Sequence, residues 1–197
     1  MNQEIVSPEI ISKIDDLANL VIIVLGSQNS GKSRTWNTLF GQKVKTGRKL
    51  RKLNIGDKCV DIFLINGSPE ERKLSVGDII VELFLVSGSP QERERYVGDI
   101  IKDKNPRIVL CSIQDIPEAK STFNYFSDRG YFMFIHWLNP GFRQQRKSDQ
   151  VVQTLLENLQ PNSFIFKEKD GNDNPLERVN EMKNFLGSWA KRKKIIT

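Results

Sequence analysis

Residues 26–33 read GSQNSGKS, which fits the spacing G-x-x-x-x-G-K-[ST]. The chemistry this spacing serves is the grip on a polyphosphate. Triphosphate is dense negative charge and needs several donors converging from one side. A glycine-rich loop leaves backbone N–H groups free to point inward. A helix starting at the end of the loop adds its own unpaired N–H groups and the positive end of its dipole. Gly26 and Gly31 allow close chain approach and unusual dihedrals. Lys32 is expected to reach the outer phosphates, and the Ser33 hydroxyl to hold Mg2+. Asn29, Ser30 and Arg34 are expected to add phosphate contacts. Gln28 and the pair Glu70, Glu71 are the nearest polar candidates for orienting an attacking water, with Gln91 and Glu92 in the equivalent place of a second, similar segment and Lys32 as the charged catalytic group; the acidic segments are equally readable as solvated helix starts.

The pattern is also compatible with a plain Gly- and Ser-rich turn that starts a helix. Its flanks argue for the phosphate loop. LVIIVL at 20–25 is apolar throughout, as a central parallel strand must be. SRTWNTLF at 33–40 is compatible with a helix that stops near Gly41.

The 197 residues suit one domain with a sizeable core. Apolar residues make up 38%, enough for a globular chain, and the formal net charge is +6. No stretch approaches a membrane span. The start, MNQEIVSPEI, is polar and acidic, unlike a cleavable signal, so the expected setting is cytoplasmic. Cys59 and Cys111 sit in apolar runs and read as free thiols. With His136 as the single histidine, zinc has no ligand set.

Along the chain, SPEIISKIDDLA at 7–18 predicts a short helix capped by Ser7. Residues 41–50 are polar and basic and read as a loop. An internal repeat follows: RKLNIGDKCVDIFLINGSPEER at 51–72 matches RKLSVGDIIVELFLVSGSPQER at 72–93, with a partial echo, RERYVGDII, at 93–101. The 21-residue period is too short for a β-α-β unit in each copy. We expect a hairpin from the first copy, at about 48–54 and 59–65, a strand at 79–86 from the second, and a helix at about 90–103. Beyond Pro106 the reading is strand 107–113, helix 117–128, strand 131–138, loop 139–147, helix 148–159, strand 163–166 and helix 175–190. Trp36, Trp137 and Trp189 are expected in the core.

This chain resembles the P-loop NTPase superfamily, through the segment 26–33 and its strand and helix. Its order of elements is similar to a divergent Ras-like, translation-factor-type GTPase domain over residues 18–190. The resemblance implies an α/β, three-layer P-loop NTPase fold with a mostly parallel central sheet and an antiparallel hairpin or edge strand. It also implies Mg2+ and GTP as ligands, slow or partner-stimulated hydrolysis, and a switch role.

In that family a switch-loop threonine helps hold Mg2+, and Thr46 is the available candidate. A D-x-x-G motif closes the third strand. Here DIFLING at 61–67 offers Gly67, with Leu64 where the acid should be and Asp61 three residues earlier. The guanine-reading N-K-x-D motif is reduced to Asn139 in HWLNPGF. Asp170 and Asp173 are further candidates near a base. Asp115, after strand 107–113, could supply the missing metal-facing carboxylate if that strand lies beside 20–25.

An ATP-dependent small-molecule or nucleotide kinase is the alternative, with Arg143 and Arg146, or Arg93 and Arg95, as lid arginines. Residues 41–58 are the expected docking segment for a protein partner. The basic clusters at 43–52 and 191–194 would attract nucleic acid or an anionic membrane surface.

Overall fold

The computed structural model describes residues 19–41, 49–55, 58–64, 73–76, 79–86, 96–101, 106–145, 151–157, 159–161 and 163–192. The expectations on 7–18, Thr46, Gly67, Glu70, Glu71, Gln91, Glu92, Arg93, Arg95 and Arg146 lie outside these residues, as do residues 42–48 and 146–150.

The apolar run predicted as the first strand is β1, Asn19–Gly26, and all eight of its residues are buried. Both of its edges are paired in parallel. β6 (Ile108–Gln114) lies on one side, with Leu20 opposite Ile108 and Gly26 opposite Gln114. β7 (Tyr131–Leu138) lies on the other, with Leu20 opposite Phe132. A strand flanked on both edges and covered on both faces has no wet side, which accounts for its unbroken hydrophobicity.

The sheet continues outward to β8 (Phe164–Lys169) beyond β7 and to β5 (Ile79–Val86) beyond β6. These five strands are parallel. The antiparallel β4 (Lys73–Val76) closes the β5 edge, giving the order β4-β5-β6-β1-β7-β8. The hairpin β2 (Lys49–Ile55) and β3 (Lys58–Leu64) forms a separate two-stranded ribbon.

Alternation along β1 sends side chains to two cores. Leu20, Ile22 and Val24 pack with α1 (Lys32–Leu39) and α5 (Pro175–Arg192), through Trp36, Leu39, Val179, Met182 and Trp189. Val21, Ile23 and Leu25 pack with α2 (Val97–Ile101), α3 (Lys120–Asp128) and α4 (Val151–Leu156), through Val97, Phe123, Phe126 and Leu155. A short 3-10 turn, Pro117–Ala119, leads into α3. Helices thus cover both faces of one mostly parallel sheet, an α/β layering. Among the described residues no helix is long and apolar enough to cross a membrane.

Most elements fall where the residue pattern predicts them, and two features differ. The second copy of the repeat supplies two strands, because β4 precedes β5 as its hairpin partner. The third strand in chain order, β3, sits in the separate ribbon and does not border β1. The strand beside β1 is β6, so the end of β3 is no neighbour of the 26–33 loop in the sheet. Of the predicted tryptophans, Trp36 and Trp189 are fully buried and Trp137 is half-buried. Cys111 is buried and free, and burial pushes its thiol up out of the reactive range.

Candidate functional site

The segment 26–33 joins the carboxyl end of β1 to the start of α1. Two residues make its sharp path. Asn29 has φ 61 and Gly31 has φ 102, the left-handed region that suits Asn and Gly. Gly31 occupies the N-cap of α1 without a side-chain cap, and no acid lies in the first turn of α1. That helix start therefore carries no built-in anion of its own.

Lys32 is the first residue of α1 and only 6% exposed. Its ammonium turns back over the loop, where Nζ donates to the Gly26 carbonyl at 2.8 Å and the Ser27 carbonyl at 2.7 Å. Ser33 is exposed beside it, and Gln28 and Asn29 are exposed at the crest. Ser30 is fully buried, and its hydroxyl makes no hydrogen bond to the described residues. A Cβ on Gly26 would run into that hydroxyl, so packing disfavours a side chain there.

Two loops from neighbouring strands close on this segment. Phe142 N–H, after β7, donates to the Ser30 carbonyl at 2.9 Å. Gln144 bonds the Ser27 hydroxyl, with Nε2 at 2.9 Å. Gly171 N–H, after β8, donates to the Pro140 carbonyl at 2.7 Å. Asn172 laces the two loops together. Its Nδ2 donates to the Gln144 carbonyl at 3.2 Å and its Oδ1 accepts from Arg143 N–H at 2.6 Å. The approach leaves no room for side chains at the glycines. A Cβ on Gly171 would lie 2.6 Å from both Phe142 N and Ser30 O, and one on Gly141 would lie 2.8 Å from Ser30 Cα.

Asn139 is buried, and its backbone N–H donates to the Lys169 carbonyl at 2.8 Å. Asp170 accepts from the Asn172 backbone N–H at 2.7 Å, which makes it part of the turn. Arg34 reaches towards the Asp173 carbonyl at 3.4 Å and lies over the Phe142 ring, 4.7 Å from its centroid. Arg143 lies over the same ring at 5.1 Å. The arginine considered as a lid residue is thus folded against the loop that follows β7.

Asp115 comes directly after β6, and β6 does lie beside β1. Its backbone N–H donates to the Gly26 carbonyl at 3.2 Å. Its carboxylate Oδ2 accepts from Trp137 Nε1 at 3.0 Å. One acidic side chain is therefore held at the root of the glycine-rich loop. Among the described residues no three His, Cys, Asp or Glu side chains gather into a metal cluster.

Residue patterns alone miss Arg178. It is 2% exposed on α5, and burial, with Arg34 nearby, pushes its guanidinium down to about 10. Gln144 and Asn172 are missed as well. Glycine in NPG at 139–141 and DGN at 170–172 marks turns, but nothing local says that the two turns meet.

No family model matches the chain, and no curated protein matches it. Among solved structures, 28 chains match. One is a crystal structure of a mutation variant of SsGBP, with 16% identity and a TM-score of 0.41, covering 94% of this chain. The chain spans 64% of that protein's length.

Proposed function

We propose that this protein binds a Mg2+-complexed nucleoside triphosphate, GTP in our reading, through residues 26–33, and that it acts as a slow or partner-stimulated nucleotide switch. The observation that carries the proposal is the ammonium of Lys32, turned onto the Gly26 and Ser27 carbonyls at the mouth of the loop. An ammonium resting on backbone carbonyls at that place can exchange them for phosphate oxygens, which bind a cation more strongly. The uncapped, acid-free start of α1 supplies the second attraction for an anion.

Residues that fit Mg2+ are Ser33, exposed at the helix start, and Asp115, held by Trp137. The ion, when bound, would neutralise charge on the outer phosphates. Lys32 would hold those phosphates, and the backbone of 29–33 would orient them. Asp115 would act from the end of the neighbouring strand. Incomplete equipment for water activation favours a switch over rapid turnover.

The test is calorimetric titration of nonhydrolysable Mg-GTP and Mg-ATP into the wild type and Lys32→Ala. The expected result is GTP binding weakened at least tenfold by the substitution. ATP preference would move the reading to the kinase alternative. No binding of either nucleotide by the wild type would overturn it.

A further inference from the structure

The repeat at 51–92 has a structural counterpart that the nucleotide reading does not use. Twelve of 21 positions are identical between 51–71 and 72–92. Both copies form an antiparallel strand pair, and the two residues between the paired strands read Gly-Asp in each, at 56–57 and 77–78. Their registers coincide as well. In the first copy Lys52 faces Asp61, Leu53 faces Val60 and Ile55 faces Lys58. Adding 21 to each number gives the second copy: Lys73 faces Glu82, Leu74 faces Val81 and Val76 faces Ile79.

Only the second hairpin joins the main sheet. Its segment Leu83–Val86 pairs in parallel with Ile108–Cys111 of β6. The corresponding segment of the first copy is Ile62, Phe63, Leu64 and Ile65, set against Leu83, Phe84, Leu85 and Val86. Every position is apolar and two are identical, so the strand that meets β6 exists twice in the chain. Strand register is specified chiefly by the apolar pattern, and these two patterns are the same. The main differences lie outside the pairing segment, where Lys58 and Cys59 stand in place of Ile79 and Ile80. Isoleucine is the better strand former, which favours the second copy in the sheet.

We infer that the two hairpins are alternative occupants of one slot beside β6. In the structure described, the second copy fills it and the first forms a separate ribbon, with β2 near α5 and β3 beside β4. In the exchanged form the first copy fills it, and the second becomes a ribbon that follows the slot in the chain. The exchange would draw β2 away from α5, the helix that carries Arg178. It is a built-in conformational device, and it stands apart from whether nucleotide binds.

Cross-linking under equilibrating thiol exchange tests it, in full-length protein with Cys59→Ser and Cys111→Ser. Leu85 and Leu110 are register partners, and Leu64 is the first-copy equivalent of Leu85. The pair L85C/L110C should form a disulfide in high yield. L64C/L110C should also form one, in lower yield but well above the off-register control F63C/L110C. A yield for L64C/L110C no greater than the control overturns the inference. A second measurement uses no new cysteines: deletion of 51–71 or of 72–92, followed by amide exchange. Both chains should keep Ile108–Cys111 protected. Loss of that protection in the 72–92 deletion alone overturns the inference.

Discussion

Arg178 Nε donates to the Thr35 hydroxyl at 2.9 Å, joining the last helix to the helix that begins at Lys32. Both side chains are buried, and Thr35 in turn reaches the Gly31 carbonyl at 3.3 Å. A short polar chain thus runs from α5 to the glycine at the start of α1.

Arg178→Met should destabilise the fold by about 1–3 kcal/mol, the usual cost of removing a buried hydrogen bond to a charged group. Thr35→Val should cost a similar amount, and the double variant less than the sum. Urea unfolding of the four proteins measures this. Additive losses would mean that the two side chains do not act on each other.

Gly171→Ala should disturb the segment 26–33 without touching its residues. The new Cβ meets backbone on two sides, at Ser30 O and Phe142 N. Neither can retreat as a flexible side chain would. The expected cost is about 1–3 kcal/mol, with weakened nucleotide binding beside it. Gly41→Ala is the control: its Cβ meets open space, though φ +65 carries its own strain. Unchanged binding in Gly171→Ala would mean that the 170–174 loop is independent of residues 26–33.

These two contacts mark where reading residues stops working. The strand-loop-helix around 26–33 is local, and composition exposes it: apolar 20–25, glycines at 26 and 31, then helix formers. β7 and α5 are legible for the same reason, through continuous apolar pattern or helical spacing. The meeting of Gly171 with Ser30 depends on β8 lying two strands from β1, and sheet order leaves no local trace. The pentapeptide VGDII makes the point within this chain. At 76–80 its first residue ends β4 and its last two begin β5, and at 97–101 it is helix α2. Context decides, because the first is drawn into a ladder and the second packs Val97, Ile100 and Ile101 into a core.

Asp115→Asn should leave the fold intact and lower Mg2+-dependent nucleotide affinity by about ten- to a hundredfold, the range for residues that support a metal. Trp137→Phe, which removes the donor to Asp115 Oδ2, should shift the same quantity by less. Titration with and without Mg2+ separates the effects. Equal affinity in wild type and Asp115→Asn at every Mg2+ concentration would leave Asp115 a purely structural partner of Trp137.

Acid should destabilise this protein in two stages. His136 is wholly buried beside Glu181, with Nε2 at 3.2 Å from Oε2. Burial lowers its pKa from the ordinary 6.5, against the pull of Glu181 and with Lys167 and Lys169 nearby. The unfolded chain therefore takes up this proton first. Stability is full above about pH 6.5 and declines below it. Glu181 also binds Lys167, and Lys169 at 2.8 Å. Burial alone would raise its pKa, but the hydrogen bonds from His136, Lys167 and Lys169 outweigh it and hold the carboxyl well below the ordinary 4.5. Its contribution is present above about pH 4.5 and lost as pH falls further. Urea midpoints from pH 8 to 3 should show both limbs. His136→Gln should flatten the upper limb and Glu181→Gln the lower.

The glycine-rich segment has no edge of its own from which to fray. Its floor is the innermost strand, Ser27 is held through Gln144 and Ser30 through Phe142, and Gly31 is linked through Thr35 to Arg178. Loops usually melt ahead of the body that carries them. This one should melt with it, so a spectroscopic label at Gln28 would trace the same thermal transition as the aromatic core.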